Sequence, residues 1–414
     1  MLHGSSGGLW FSWEAINQQL TDRPVSDSAP SRPKLAILTN VLAPYRVPVF
    51  QRLAEQFAVT VLYSGEESNR GQWRQLVHQD HGFRVKRASG FTFGWTKRDH
   101  GAVLDSKYLH LNPGYLTDLL RLRPDAIITT EMGFRSLVAL AYGQVFGRPV
   151  WVWWGGTCHT ERGIGKLKQI FRRRFVPRVR RWLSYGLTST EYLVSLGVDP
   201  RRVVELQNCV PETHYTEAVT PAFQLNPRPV ILYTGRLVPG KGVDLLLHAA
   251  GRVQAKGRTF SLLIVGDGPE RQSLEQAATD LALANVHFCG ARAAEDMAAV
   301  YRSADVLVFP TLDDVWGLVV NEALWSGLPA LVSVYAGCAR EIAPRENTFD
   351  PLDPSDFASK LLGAIDRGLS PPDLSRLRRI SDVSDRIAEE LHASLGRHQT
   401  ALLRQDQHPS SDGE

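Results

Sequence analysis

Cysteine is scarce in this chain, and long apolar segments are absent. The four cysteines, Cys158, Cys209, Cys289 and Cys338, are widely separated. No Cys-x-x-Cys pair occurs, so the sequence indicates neither a zinc site nor a disulfide framework. The longest mainly apolar segment, residues 137–154, is interrupted by polar residues, glycine and proline, and we expect no transmembrane helix. The first residues lack the pattern of a signal peptide, so we expect reduced thiols and a cytoplasmic location.

Acidic residues are missing from one band of the sequence. Residues 162–181 contain nine Lys or Arg and no acid. Ile164, Leu167, Phe171 and Phe175 recur at three- and four-residue spacing within it, which predicts a basic amphipathic helix of the kind that lies on anionic membranes. The alternative is an ordinary domain helix with its apolar side in a core, and both descriptions can hold for opposite sides of one helix. The cations predicted to face lipid are Lys166, Lys168, Arg172, Arg173 and Arg174. No RNA- or DNA-binding motif accompanies them, so we expect no nucleic-acid partner.

The rest of the chain has a globular composition and a repeating pattern. It has 414 residues, of which 43% are hydrophobic, and this length suits two domains. From Lys34 onward, short apolar runs rich in β-forming residues alternate with longer helical stretches. The runs are KLAILTN, VTVLYS, DAIITT, PVWVWW and RVVELQN in the first half, and PVILYTG, FSLLIVGDG, NVHFCG, ADVLVFP and LPALVS in the second. This pattern predicts two doubly wound α/β domains, each with a parallel sheet covered on both faces.

Changes in composition give the domain boundaries. Residues 1–32 are rich in Ser, Gly and Pro and are predicted to be disordered. Ile387, Leu391 and Leu395 lie four residues apart, so the last helix is expected to pack against a domain. The predicted divisions after the extension are a first domain at 33–210, a linker at 211–228, a second domain at 229–380, a helix at 381–404 and a loose tail at 405–414.

Two cations follow the first strand of the second half. In the stretch TGRLVPGKG, Gly235 permits a sharp exit from the strand, and Arg236 and Lys241 lie in the turn before a helix. Ligands of doubly wound sheets bind at such turns, and two cations beside a helix N-terminus are a suitable site for a pyrophosphate. The alternative is a pair of solvated surface charges. After the next strand, Gly266 in VGDGPE is expected to let a nucleotide approach the backbone.

The stretch TLDDVWGLVVNEALWSGLP places acids where apolar residues dominate. A helix is predicted to begin near Gly317 and end at residues 326–327, with Glu322 among apolar neighbours. A carboxylate there is tolerable if it accepts hydrogen bonds, either from ligand hydroxyls such as a ribose diol or from backbone N–H groups. Asp314 is expected above the N-terminus of the same helix.

These three motifs together resemble glycosyltransferase family 4, which has the GT-B fold of two facing Rossmann-like domains with a cleft between them. The resemblance covers residues 34–400 and rests on GRLVPGKG, VGDGPE and DVWGLVVNEALWSGLPALVS, with APYRVPVFQRLAE as support in the first half. It implies that the first domain binds an acceptor and the second a nucleotide-sugar. It also implies transfer with retention of anomeric configuration, without a metal or another cofactor. Where the family usually has Glu, this chain has the shorter Asp314.

The resemblance also implies roles for individual residues. Arg236 and Lys241 would bind the donor pyrophosphate, Glu322 the ribose, and Asp314 the transferred sugar. The backbone of Trp316, Gly317 and Leu318 would contact sugar and phosphate. In the first domain, His159 follows a strand in WWGGTCHTERG, where the family often has a histidine that reaches the donor sugar or the acceptor. Further acceptor-side candidates are Tyr45, Arg46, Glu161 and Arg162.

The expected activity is therefore that of a hexosyltransferase acting on a lipid-linked or surface glycan, at the cytoplasmic face of the cell membrane. Two alternatives stay open. One is a nucleotide-sugar epimerase with the same fold and donor site. The other is a binding subunit that keeps the fold with weakened turnover.

Overall fold

The computed structural model describes most of the chain. Residues 1–31 of the predicted extension and residues 407–414 of the predicted tail lie outside the described part. The described residues are 32–65, 67, 73, 75–99 and 102–406.

Fifteen strands are present in the described ranges. The first nine are β1 (Lys34–Thr39), β2 (Ala58–Tyr63), β3 (Arg84–Arg87), β4 (Phe91–Asp99), β5 (Ala102–Leu111), β6 (Ala126–Thr130), β7 (Val150–Trp154), β8 (Arg181–Ser184) and β9 (Val203–Glu205). The remaining six are β10 (Val230–Thr234), β11 (Ser261–Val265), β12 (Val286–Phe288), β13 (Val306–Phe309), β14 (Ala330–Ser333) and β15 (Thr348–Phe349).

Two parallel sheets confirm the predicted architecture. The first has the order β3-β2-β1-β6-β7-β8-β9, and the second has the order β12-β11-β10-β13-β14-β15. In each sheet the order reverses beside the first strand, which is the topology of a doubly wound domain. All ten apolar runs predicted as strands are strands, and β1, β6, β7, β10 and β11 are buried along nearly their whole length. Continuous burial explains why their sequences are apolar without alternation.

The sequence analysis missed five strands. β3 and β8 begin with arginine and are only four residues long, and β15 has two residues, so none forms an apolar run. β4 and β5 form an antiparallel hairpin outside both sheets, with Phe93 opposite Leu109. The alternation of Phe91, Phe93 and Trp95 is the period-two signal that could have predicted this hairpin.

Helices cover both sheets. They are α1 (Val47–Ala54), α2 (Gly114–Leu122), α3 (Phe134–Val145), α4 (Lys166–Phe175), α5 (Leu187–Ser195), α6 (Thr213–Thr216), α7 (Val243–Gln254), α8 (Arg271–Asp280), α9 (Met297–Tyr301), α10 (Leu318–Trp325), α11 (Ala339–Ile342), α12 (Pro354–Arg367) and α13 (Ile380–Asp406). None of the described helices combines the length and apolar character needed to cross a bilayer.

The last helix returns to the first domain. Ile387 and Leu391 on α13 are each 1% exposed and belong to the core beneath β1 and β2. Asp385 accepts a hydrogen bond from Arg52 of α1 at 3.2 Å. The prediction that this helix packs against a domain is therefore confirmed, although it extends to residue 406 and includes the start of the predicted tail.

Polar contacts join the two domains. The backbone N–H of Leu187, at the start of α5, donates to Glu341 Oε1 on α11 at 2.7 Å. Thr188 donates to the carbonyl oxygen of Gly337 at 3.0 Å. These contacts bring the carboxyl edge of the first sheet against the loop that follows β14.

Candidate active site

An ion pair spans the point where the strand order of the second sheet reverses. β10 and β13 are neighbours there, and their following loops carry Lys241 and Asp314. Lys241 Nζ lies 2.6 Å from Asp314 Oδ2 and 3.2 Å from the carbonyl oxygen of Asp313. We call residues 235–242 the Lys241 turn and residues 310–317 the Asp314 loop. The side chains of Lys241 and Asp314 are 17% and 22% exposed, so a ligand can reach both.

Glycines allow the loops at this edge to pack closely. A Cβ at Gly242 would lie 2.1 Å from the carbonyl oxygen of Pro310, and a Cβ at Gly266 would lie 1.8 Å from that of Gly235. Gly235 and Gly266 also have positive φ angles. Gly266 therefore serves the packing of its loop on the Lys241 turn, and its position brings the ends of β10 and β11 together.

The N-terminus of α10 lies beside Asp314. Gly317 precedes this helix with φ +104° and provides no side-chain cap. The N–H of Trp316 donates to Asp314 Oδ1 at 3.1 Å. This contact holds the carboxylate beside the backbone that leads into the helix. The Trp316 side chain is 1% exposed and its indole N–H donates to Asn321, so only its backbone is available to a ligand. Leu318, the first residue of α10, is partly buried.

Glu322 is held by phenol groups. Tyr301 donates to Glu322 Oε2 at 2.6 Å, and Tyr215 also hydrogen-bonds the carboxylate. Burial raises the pKa of Glu322 to about 7, and the two phenols oppose the rise. The sequence predicted mainly apolar neighbours for Glu322, and the structure adds two phenol hydroxyls that bind its carboxylate. Tyr215 and Tyr301 could not be identified from the sequence, since they lie on α6 and α9 with no local motif.

The turn carries a second cation, Arg236. Its side chain is exposed, and its carbonyl oxygen accepts a hydrogen bond from the Tyr233 hydroxyl at 2.9 Å. Arg236 and Lys241 thus belong to one turn.

A loop of the first domain meets the Asp314 loop. His159 Nε2 lies 2.7 Å from the carbonyl oxygen of Leu312, and its ring stacks on Tyr335 with centroids 4.6 Å apart. Arg162 donates to the carbonyl oxygen of His159 at 2.6 Å. The structure thus brings His159 and Arg162 to the loop that carries Asp314, which sequence distance alone did not reveal.

The acceptor-side candidate Glu161 and the membrane candidate Arg172 are partners of each other. Arg172 is 2% exposed, and its Nη1 lies 2.5 Å from Glu161 Oε2. Its guanidinium also stacks on Trp154, 4.8 Å from the ring centroid. The prediction that Arg172 faces lipid is therefore wrong, because its position on α4 points into the core of the first domain. Glu161 neutralises this buried charge.

The other basic residues of α4 are exposed. Lys166, Lys168, Arg173 and Arg174 face solvent. Between them, Leu167 and Ile170 are 85% and 49% exposed, whereas Phe175 is buried. The predicted apolar stripe is thus divided, with one part in the core and the other on the surface.

The remaining acceptor-side candidates lie after β1. Arg46 is buried and stacks on Trp153, 3.6 Å from the ring centroid, and its Nη2 donates to the Tyr185 hydroxyl. Tyr45 is partly buried beside it. Across the residues that the structure describes, no group of three or more His, Cys, Asp or Glu side chains is arranged to hold a metal ion.

Comparison with solved structures identifies the class of fold. The chain superposes on Anabaena HepE in complex with UDP with a TM-score of 0.61 at 16% identity, covering 90% of this chain and 100% of that one. Sucrose-phosphate synthase from Thermosynechococcus elongatus gives a TM-score of 0.61 at 15% identity, covering 90% and 99%. The protein thus has the GT-B fold, with two facing doubly wound domains.

Most of the second domain matches a known family model. Residues 228–367 match the family model described as Glycosyl transferases group 1. The GDP-mannose-dependent alpha-mannosyltransferase of Mycobacterium tuberculosis is 32% identical over 192 residues, which are 45% of this chain and 47% of that protein. The sulfoquinovosyl transferase of Arabidopsis thaliana is 25% identical over 280 residues, or 61% of this chain and 52% of the relative. The chain spans about half the length of these curated relatives.

Proposed function

We propose that this protein is a glycosyltransferase that uses a nucleotide-sugar donor and retains the anomeric configuration. The observation that carries the proposal is the Lys241–Asp314 pair at the reversal point of the second sheet, within the segment that matches the glycosyltransferase family model. Relatives named for GDP-mannose and neighbours solved with UDP support a nucleotide-sugar as the donor class.

The donor diphosphate is assigned to the Lys241 turn and the N-terminus of α10. Lys241, Arg236 and the first N–H groups of α10 supply positive charge where the leaving diphosphate develops negative charge. Asp314 neutralises Lys241 in the structure described here, so the pair holds both side chains in place before the donor binds. In the proposed reaction, this cationic environment replaces a metal ion.

The sugar and ribose are assigned to the two acids. Asp314 accepts hydrogen bonds from hydroxyls of the transferred sugar, with His159 across the domain boundary as a further contact. Glu322 accepts hydrogen bonds from the ribose diol, because a carboxylate has more acceptor positions than its contact with Tyr301 at Oε2 uses.

The transfer step needs no protein base in this proposal. The bond between the anomeric carbon and the phosphate oxygen breaks, and the acceptor oxygen forms a bond to the same carbon on the same face. The acceptor proton passes to the departing phosphate oxygen. The first domain holds the acceptor, for which we propose a lipid-linked or surface glycan.

The exposed part of α4 supports a peripheral membrane location. Its four exposed cations surround two exposed apolar side chains, and no acid lies on the helix. Anionic headgroups complement this charge, and Leu167 and Ile170 can enter the interface. We propose that this face lies on the cytoplasmic side of the cell membrane.

The direct test is a panel of UDP-, GDP- and ADP-sugars incubated with the purified chain, with nucleoside diphosphate release as the readout. Release from one donor, increased by a glycan acceptor, supports the proposal. Conversion of the donor sugar into another sugar, without release of nucleoside diphosphate, would indicate the epimerase. Tight binding without either reaction would indicate a binding subunit.

A further inference from the structure

The first sheet has its own reversal point, and a buried cation lies there. β1 pairs with β2 on one side and β6 on the other. The loop after β1 ends in a single 3₁₀ turn, Pro44–Arg46, that places Arg46 at the carboxyl edge of the sheet. Ligands of doubly wound domains bind at this edge. Arg46 therefore occupies, in the first domain, the position that the Lys241 turn occupies in the second.

The charge of Arg46 has no acidic partner within the described ranges of the chain. Three arginines are buried in the described part of the chain. Arg135 pairs with Glu131 at 2.6 Å, and Arg172 pairs with Glu161 at 2.5 Å. Arg46 is 6% exposed, forms no ion pair with any described acid, and its Nη1 is buried without a hydrogen-bond partner.

Stacking does not account for this arrangement. The guanidinium of Arg46 lies 3.6 Å from the Trp153 ring centroid, and such a contact recovers only part of the free energy lost when the ion leaves water. The surroundings thus stabilise the orientation of the guanidinium but leave its charge uncompensated, as in a site prepared for an anion.

The hydroxyl groups around Arg46 are also suited to an anion. Tyr185 accepts from Arg46 Nη2, and Tyr45 hydrogen-bonds the same guanidinium. Both tyrosines are partly buried, whereas Trp153 is 3% exposed, so access runs past the tyrosines. Tyr185 packs against the core of the second domain as well as the first, which places the cluster at the domain boundary.

We propose that Arg46, Tyr45 and Tyr185 form a subsite for an oxyanion, either phosphate or carboxylate, carried by the acceptor. The acceptor role rests on the proposed function, but the anion site does not. A planar guanidinium binds both kinds of oxyanion through paired N–H groups. The acceptor is thereby assigned to the class of negatively charged glycans or lipid-linked phosphates.

The test measures anion binding without donor or acceptor, so it is independent of sugar transfer. Inorganic phosphate is titrated at constant ionic strength against Arg236→Ala/Lys241→Ala, which removes both side-chain phosphate contacts proposed for the other domain, and against the triple variant with Arg46→Met. We expect the melting temperature of Arg236→Ala/Lys241→Ala to rise by about 1–2 °C at ten times Kd. We expect no rise in the triple variant. Acetate in place of phosphate shows which oxyanion is preferred.

Stability supplies the matched control. Arg46→Met removes an uncompensated charge and should leave the melting temperature equal or higher, whereas Arg172→Met takes from Glu161 its buried partner and should lower it. A phosphate response that survives Arg46→Met would overturn the proposal. A fall in stability as large as that of Arg172→Met would do so too, since the guanidinium would then be structural. If Arg46→Met does not fold, Arg46→Lys decides: it keeps the charge but loses the paired N–H groups, so an undiminished phosphate response would contradict the site.

Discussion

His159 of the first domain binds the backbone of Leu312 in the second. The 2.7 Å contact lies two residues before Asp314, and the imidazole is held in place by stacking on Tyr335. The carbonyl oxygen of Leu312 can only accept, so Nε2 is the donor in this contact. The position of the Asp314 loop is therefore coupled to the first domain, which the proposed acceptor occupies.

Lys241→Ala should lower turnover with a nucleotide-sugar about 100-fold or more, because it removes a charge that stabilises the leaving diphosphate. Donor affinity should fall as well. The measurement is initial rate against donor concentration, with circular dichroism to show that the fold is kept. Lys256→Ala is the matched control, since Lys256 is exposed at the far end of α7. Equal rates for the two variants would exclude Lys241 from the site.

Glu322→Ala should weaken binding of a free nucleoside diphosphate about 10- to 100-fold, as measured by calorimetry, because the ribose loses a charged acceptor.

Tyr301→Phe tests whether the protonation state of Glu322 controls this binding. It removes a hydrogen bond that lowers the pKa of Glu322, so the pH at which affinity reaches half its maximum should move upward from about 7. An unchanged pH profile would show that Tyr301 does not tune this carboxylate.

Glu341→Gln should make the protein more stable at pH 8 than the unaltered chain. Burial raises the pKa of Glu341 from 4.5 to about 7, so the native state binds an extra proton between these values. Stability from this group is present below pH 4.5 and is lost as the pH rises through 7. Glutamine keeps an acceptor for the Leu187 N–H without the charge, and we expect a gain of about 1–3 kcal/mol at pH 8.

The measurement for Glu341 is urea unfolding at pH 5 and pH 8. Glu346→Gln is the control, because Glu346 is exposed near the same helix. A gain that is the same at both pH values would mean that the carboxylate of Glu341 does not titrate in this range.

Replacing Lys166, Lys168, Arg173 and Arg174 by Gln should release the protein from anionic vesicles. Each charge contributes about 1 kcal/mol near such a surface, so the loss should exceed 100-fold at low salt. Co-sedimentation with phosphatidylserine and phosphatidylcholine vesicles is the measurement. Leu167→Gln should weaken binding at all salt concentrations. Binding of the fourfold variant equal to that of the unaltered chain would contradict the proposed membrane face.

The residues proposed to bind the donor could be placed at one sheet edge from the sequence, because the signals that place them are local. Lys241 and Asp314 each follow an apolar strand within a few residues, so their placement at one sheet edge follows from parallel topology. The pairing of the two side chains at 2.6 Å was not predictable, since it depends on the loop conformations that Gly242 and Pro310 fix.

The basic band shows the limit of periodicity. The sequence predicted one amphipathic helix, and α4 is one. Its spacing could not show which cation turns inward, and Arg172 does so because Glu161 and Trp154 lie on that side. A buried arginine with an acid partner has the same sequence signature as a surface one.

The sequence by itself determined the two parallel sheets, ten of their thirteen described strands, and the turns that carry Arg236 and Lys241, because burial of continuous apolar strands leaves few alternatives. Only the tertiary structure decided the partners of the charged groups. Tyr215 and Tyr301 reach Glu322, His159 reaches Leu312, and Arg46 reaches no acid among the residues that the structure describes. Those contacts join residues that are distant along the chain, and a side chain's partner is set by where the packed elements place it.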